Sequence, residues 1–171
     1  QHTRQREVQV RGDGWYLISG GLGGLGLAVG EWLLAQGAGR VVLASRGSRA
    51  EELRTGKAAE LEKRIGAARV GVRRLDVSNW EQVSRLIEEE NREQRQEEAK
   101  GRGKEEAGEP PKRKLRGVIQ SAGEVADAVL ERQDAEKLER AMRAKAAGGW
   151  NLHYATLEAE LDFFILFSSA V

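Results

Sequence analysis

The densest chemistry in the chain is a run of glycines, Ser19-Gly20-Gly21-Leu22-Gly23-Gly24-Leu25-Gly26. It contains G-x-G-x-x-G at Gly21, Gly23 and Gly26. That spacing suits a pyrophosphate. One glycine permits a tight turn, a second lets the backbone approach the anion with no Cβ in the way, and a third lets the next helix pack closely on the strand. The helix N-terminus adds unpaired N–H groups and the positive end of a dipole. A glycine loop without a ligand can look the same in isolation. Here an apolar strand precedes the run and an amphipathic helix follows it, which is the context the chemistry needs.

Three further groups could do chemistry. Ser45 and Arg46 end the second apolar run. A site for NAD usually carries an acidic residue there, on the ribose 2′-hydroxyl. A guanidinium attracts a 2′-phosphate that a carboxylate would repel, so this pair favours NADP(H). The alternative is a solvated loop arginine. Lys145 falls on the apolar face of a helix with Leu138, Ala141 and Met142. A lysine there either snorkels from a helix end or orients a ribose and lowers the pKa of a nearby phenol. Ser169 stands at the carboxyl end of an apolar strand, where open α/β sheets place their ligands. Its hydroxyl can donate to a substrate carbonyl; Ser168 points the other way and reads as structural.

The elements that must position these residues alternate along the chain. "WYLIS", Trp15 to Ser19, reads as a buried strand. Leu25, Ala28, Val29, Trp32 and Leu33 mark the inner face of the next helix, with Gly37 as its C-cap. "RVVLAS", Arg40 to Ser45, is a second strand. Ser48 and Glu51 form a capping box for a helix whose apolar face carries Leu53, Leu61 and Ile65. "ARVGVRRLDV" holds a third strand ending near Asp76. Ser78 and Glu81 cap another helix, with Trp80, Val83 and Ile87 inward. "LRGVIQSAG" is a fourth strand, a helix starts near Asp134, and "LDFFILFSS" is a fifth strand. That last strand is apolar on both faces, as a central parallel strand should be. The expected fold is α/β: a Rossmann-type doubly wound parallel sheet in three layers, α/β/α, incomplete at the C-terminus.

Residues 1–14 are polar and read as linker, and 15–171 as the nucleotide-binding domain. Residues 88–114 are almost wholly charged, Gln, Gly or Pro, and read as a flexible surface insert; a docking or nucleic-acid segment is the other reading. Of 171 residues 32% are charged, yet the net charge of +1 leaves no global basic field for nucleic acid or membrane. The absence of cysteine excludes a disulfide scaffold, and two histidines are too few for a histidine-rich metal site, so no metal is expected. No apolar run spans a membrane and the N-terminus is not signal-like, which fits a cytoplasmic protein. The lack of an initiator Met, with a final strand that meets the last residue, reads as an excised piece.

Six ordered segments, "WYLISGGLGGLGLAVGEWLLAQGA", "VVLASRG", "LDVSN", "LRGVIQSAG", "KAAGGWNLH" and "LDFFILFSSA", resemble the ketoreductase domains of modular polyketide and fatty-acid synthases, in the short-chain dehydrogenase superfamily. The resemblance spans about residues 11–171. It implies NADPH-dependent reduction of a β-ketoacyl thioester carried on the phosphopantetheine of an acyl carrier protein. Other synthase domains would lie in cis, in a homodimeric parent. Gly20, Gly21, Leu22, Gly23, Gly24, Leu25 and Gly26 would line the cofactor's phosphates. Ser45 and Arg46 would read the 2′-phosphate, Asp76 and Val77 would sit by the adenine, and Ala122 and Gly123 would pass under the nicotinamide-side ribose. Lys145 and Ser169 match the family's catalytic lysine and serine. The tyrosine proton donor and its asparagine match positions beyond Val171, so negligible reductase activity is expected of residues 1–171 alone.

The chain departs from the family where "H-A-A-G" is usual: it has Gln120-Ser121-Ala122-Gly123. Only Asp127 remains of the following "L-D-D" pattern, and Glu124 stands near the expected nicotinamide. Two other readings stay open: a free-standing short-chain reductase, and a non-enzymatic NADP-binding or scaffolding domain of a synthase.

Overall fold

The computed structural model describes residues 8–47, 56–100, 113–121 and 142–167. Among them are strands β1 (Gly14–Ser19), β2 (Arg40–Ser45), β3 (Val70–Arg74), β4 (Lys114–Gln120) and β5 (Phe163–Leu166). Helices α1 (Gly24–Ala35), α2 (Lys57–Ile65), α3 (Trp80–Lys100) and α4 (Gly148–Ala155) lie between them, and a π-helical turn, Arg143–Ala147, leads into α4. All strand pairs are parallel, in the order β3-β2-β1-β4-β5. The chain leaves β1 in one direction to β2 and β3, then returns to β4 on its other side. The switch point therefore lies between the carboxyl ends of β1 and β4, where such sheets open a ligand crevice.

Strand alternation separates two cores. Trp15, Leu17, Val42, Ala44 and Val118 face Val83, Leu86 and Ile87 of α3 and Leu152 of α4. Tyr16, Ile18, Val41, Leu43 and Ile119 face Leu33 and Leu34 of α1 and Ala58 and Leu61 of α2. The three-layer Rossmann-type fold expected from the sequence is the one observed. The Ser48–Glu51 capping box, Leu53, the stretch 122–141 and both Ser168 and Ser169 lie outside the described residues.

Several local expectations are corrected. Helix α1 turns Gly26, Gly30, Leu33 and Leu34 to the sheet, while Leu25 and Trp32 are more than half exposed. The reason is close approach: a Cβ on Gly30 would stand 2.9 Å from Leu43 Cδ2. The helix rests on its glycines, so the larger apolar residues rotate outward. The N-cap of α3 is Asn79, whose Oδ1 accepts the Gln82 N–H at 3.0 Å; Ser78 instead donates its hydroxyl to Asp76, and Trp80 is exposed. Gly37, at φ 95°, does close α1: its N–H and that of Ala38 donate to the Leu34 and Leu33 carbonyls.

Residues 10–14 are attached to the domain and are not free linker. Arg11 O accepts the N–H groups of Gly14 and Gly39, and Arg11 N–H donates to the Tyr16 hydroxyl at 2.6 Å. Among the described residues strand β5 lies at one side of the sheet beside β4, and Ile165, Leu166 and Phe167 are exposed. Helix α3 runs on to Lys100, and Glu90 and Gln94 on it are buried, so a flexible insert cannot begin at 88. Lys114, at the far end of that stretch, is already in β4.

Tyr16 is wholly buried, and desolvation raises its pKa above the ordinary tyrosine value. Above about pH 10 the unfolded phenol ionises first, so the unfolded state binds fewer protons and stability falls as pH rises. Tyr16→Phe is expected to flatten that alkaline loss. Urea unfolding at about pH 9 and about pH 11 checks it; an equal loss in both proteins overturns it.

Candidate functional site

The glycine run forms the turn between β1 and α1. Gly20 takes φ 72°, in the left-handed region. Gly21 N–H donates to Ala44 O at 3.0 Å, tying the turn to the end of β2, and Gly23 N–H donates to Gly20 O at 3.0 Å. At Gly26 a Cβ would lie 2.5 Å from Gly20 O and 2.7 Å from Gly21 Cα. At Gly24 it would meet nothing within 4 Å. The glycines thus divide by purpose: Gly21 and Gly26 let backbone pack on backbone, while Gly23 and Gly24 are exposed at the helix mouth. Helix α1 has no side-chain N-cap and no acidic residue in its first turn. Its first N–H groups have no intrahelical partner and carry the positive dipole end. Leu22 packs inward against the core beside α1, and Leu25 faces outward.

The neighbouring strand ends gather at this turn. Ser45 is half-buried and Arg46 exposed at the end of β2; Ser45 O accepts Leu75 N–H at 2.8 Å. Asp76 is half-buried and its carboxylate accepts both the N–H and the hydroxyl of Ser78. Val77 is in the core, and its carbonyl accepts from Asn151 Nδ2 at 2.8 Å. Across the crevice Ser121, just past β4, donates its N–H at 2.9 Å and its hydroxyl at 2.8 Å to Ser19 O. Lys145 is half-buried at the centre of the π-helical turn, where its carbonyl accepts Gln120 Nε2 at 3.2 Å. Met142, expected to share Lys145's inner face, is exposed. Within a π-turn the residues lose the α-helical register on which that face was drawn.

Gly20, Gly21, Leu22, Gly23, Gly24, Leu25, Gly26, Ser45, Arg46, Asp76, Val77 and Lys145 thus belong to the carboxyl end of one sheet. Ala122, Gly123 and Ser169 lie outside the described residues. Sequence reasoning passed over Gln120 and Ser121 as departures from a pattern and gave Gly148 and Gly149 no role. Their signal was present: two polar residues end an apolar strand, and two glycines stand inside a helical segment. No cluster of His, Cys, Asp or Glu suited to a metal occurs among the described residues. No helix among them is long and apolar enough to cross a membrane.

Sheet order, glycine turn and crevice define a Rossmann-type α/β domain of the short-chain dehydrogenase kind. A family model for the KR domain matches residues 14–101 and 102–171, and the chain belongs to that family. It is 38% identical over 160 residues to a mycocerosic acid synthase-like polyketide synthase of Mycobacterium tuberculosis, covering 94% of this chain and 7% of that protein. It is 36% identical over 161 residues to a phenolphthiocerol/phthiocerol polyketide synthase of the same organism, covering 94% of this chain and 8% of that one. Among solved structures, an N-terminal ketoreductase from the macrolactin assembly line matches with a TM-score of 0.67 and 29% identity, over 94% of this chain and 29% of that one. The chain therefore spans less than a tenth of those synthases and under a third of the ketoreductase. The family read from the six sequence segments is the family found.

Proposed function

We propose that this chain is the cofactor-binding part of a reductase that takes NADPH and a β-ketoacyl thioester on an acyl carrier protein, with other synthase domains in cis. The supporting observation is the open helix mouth at Gly23 and Gly24, at the switch point of a sheet whose second strand ends in Ser45-Arg46. The residues present fit the group. Gly24 leaves the space that a Cβ would enter, and no carboxylate stands in the first turn of α1 to repel phosphate. Gly20 to Gly26 would hold the pyrophosphate, Arg46 and Ser45 the 2′-phosphate, Asp76 and Val77 the adenine side, and Ala122 and Gly123 the nicotinamide-side ribose. NADPH supplies the hydride when bound.

The chain's own residues would bind and orient. Ser169 donates its hydroxyl to the substrate carbonyl oxygen, favouring the charge that develops there. Lys145 holds the proton-donating phenol at a depressed pKa through its positive charge. The test is titration with NADPH and NADH, with Arg46→Asp alongside. NADPH is expected to bind more tightly, and Arg46→Asp to weaken it about 10- to 100-fold, the worth of a charge-assisted contact. Equal affinity of the unaltered protein for the two nucleotides defeats the Arg46 assignment.

A further inference from the structure

We infer that Gln120 is a positioning residue for Lys145, acting through the π-helical turn. This rests on the reading of Lys145 as the catalytic lysine. Gln120 is 3% exposed at the last position of β4. Its carboxamide nitrogen donates to the Lys145 carbonyl at 3.2 Å. A regular helix would keep its carbonyls for its own N–H groups four residues on. Here the turn is wide: Gly148 N–H is shared between the Arg143 carbonyl, five residues back, and that of Lys145. Such single π-turns are costly unless something outside the helix holds them, and they concentrate at functional sites. Gln120 is that external hold.

The neighbours are cut to admit it. A Cβ on Gly148 would stand 2.9 Å from Gln120 Nε2 and 2.6 Å from Val77 Cγ2. One on Gly149 would stand 3.1 Å from Gln120 Oε1. Gly148 and Gly149 are both buried. The carboxamide therefore lies under the two glycines and ties the strand that borders the crevice to the backbone that carries Lys145. Strand β4 is in turn fixed to β1 by the Ser121–Ser19 pair of bonds. Hydrogen bonds from Ser121 to Ser19 and from Gln120 to Lys145, made by two successive residues, thus connect the glycine turn's own strand to Lys145.

The test uses the full-length polypeptide that contains this chain, with Gln120→Leu, Gln120→His and Lys145→Ala. Gln120→Leu keeps the volume and removes the donor; histidine, the residue usual in the family, restores one. Two readouts are taken: amide hydrogen exchange across residues 143–149, and steady-state reduction of a β-ketoacyl thioester with NADPH. Gln120→Leu is expected to speed exchange in that segment at least tenfold, a shift of about 1.4 kcal/mol in its opening equilibrium. It is expected to lower kcat about 10- to 100-fold with KM within about twofold, as a displaced catalytic group does. The alkaline limb of the kcat–pH profile should move up, because a phenol with a misplaced lysine keeps its proton longer. Gln120→His should restore exchange and kcat together. Unchanged exchange in Gln120→Leu overturns the inference, as does unchanged kcat where Lys145→Ala abolishes turnover. If Lys145→Ala leaves turnover intact, the reading of Lys145 fails, and the exchange measurement alone still decides whether Gln120 holds the turn.

Discussion

Glu90→Ala is expected to destabilise the domain by about 3–5 kcal/mol, lowering its melting temperature by about 10 °C or more. Glu90 is wholly buried on α3, and its Oε2 accepts Arg40 Nε at 2.9 Å. Its Oε1 lies 2.8 Å from the Arg73 guanidinium. Arg40, at the start of β2, is 3% exposed and also donates to the Ala67 carbonyl. Its guanidinium crosses β3 at Gly71, where a Cβ would stand 2.6 Å from it. Removing the carboxylate leaves buried Arg40 with only the Ala67 carbonyl and the more distant Glu93 carboxylate at 4.0 Å, and leaves Arg73 with Glu93 at 2.8 Å. Replacing both partners, Arg40→Met with Glu90→Leu, removes the desolvated charge as well as its neutraliser and should cost far less than the single change. Unfolding can be followed by tryptophan fluorescence, since Trp15 is buried against α3 while Trp32, Trp80 and Trp150 are exposed. A Glu90→Ala loss below about 1 kcal/mol would show that water reaches the Arg40 site.

That ion pair also explains what the sequence concealed. The strands were legible because parallel central strands are apolar on both faces: "WYLIS" and "RVVLAS" needed no partner to be recognised. The glycine turn was legible because its left-handed Gly20 and the close backbone approaches at Gly21 and Gly26 dictate residue type at fixed spacing. Residues 88–96 were not, because their apolar periodicity is gone and only tertiary structure reveals that Arg40, 50 residues earlier, neutralises Glu90. Asn91 accepts from Trp15 Nε1, and Gln94 from Arg113, by the same kind of distant pairing. Charge counted along the chain said solvent; charge paired across it says interior. Helix α1 failed differently. Its apolar periodicity was real, but the buried face is chosen by Gly26 and Gly30, residues that carry no hydrophobic signal and decide the approach distance. For Lys145 the helical period gave a face with Met142, and the π-turn, which no residue type announces, rotated it away.

The two kinds of glycine in the turn permit a test that separates packing from binding. Gly26→Ala is expected to damage both. Its Cβ would sit 2.5 Å from Gly20 O and 2.9 Å from Ser121 Oγ, and the first of these is backbone that cannot rotate away. The β1–α1 turn must open, at about 1–3 kcal/mol, and NADPH affinity should fall about 100-fold or more because the donors no longer converge. Gly24→Ala should behave oppositely in stability. Its Cβ enters open space at the first position of α1, and alanine is the better helix former, so the domain should hold or gain up to about 1 kcal/mol. On the proposed reading that same methyl group would occupy the space a pyrophosphate needs, so NADPH binding should weaken about tenfold or more while folding does not. Thermal unfolding and nucleotide titration on both variants read the two effects apart. A stabilised Gly24→Ala that binds NADPH as well as the unaltered protein would mean that the phosphates do not pass over Gly24, and the helix mouth of α1 would lose its place in the site.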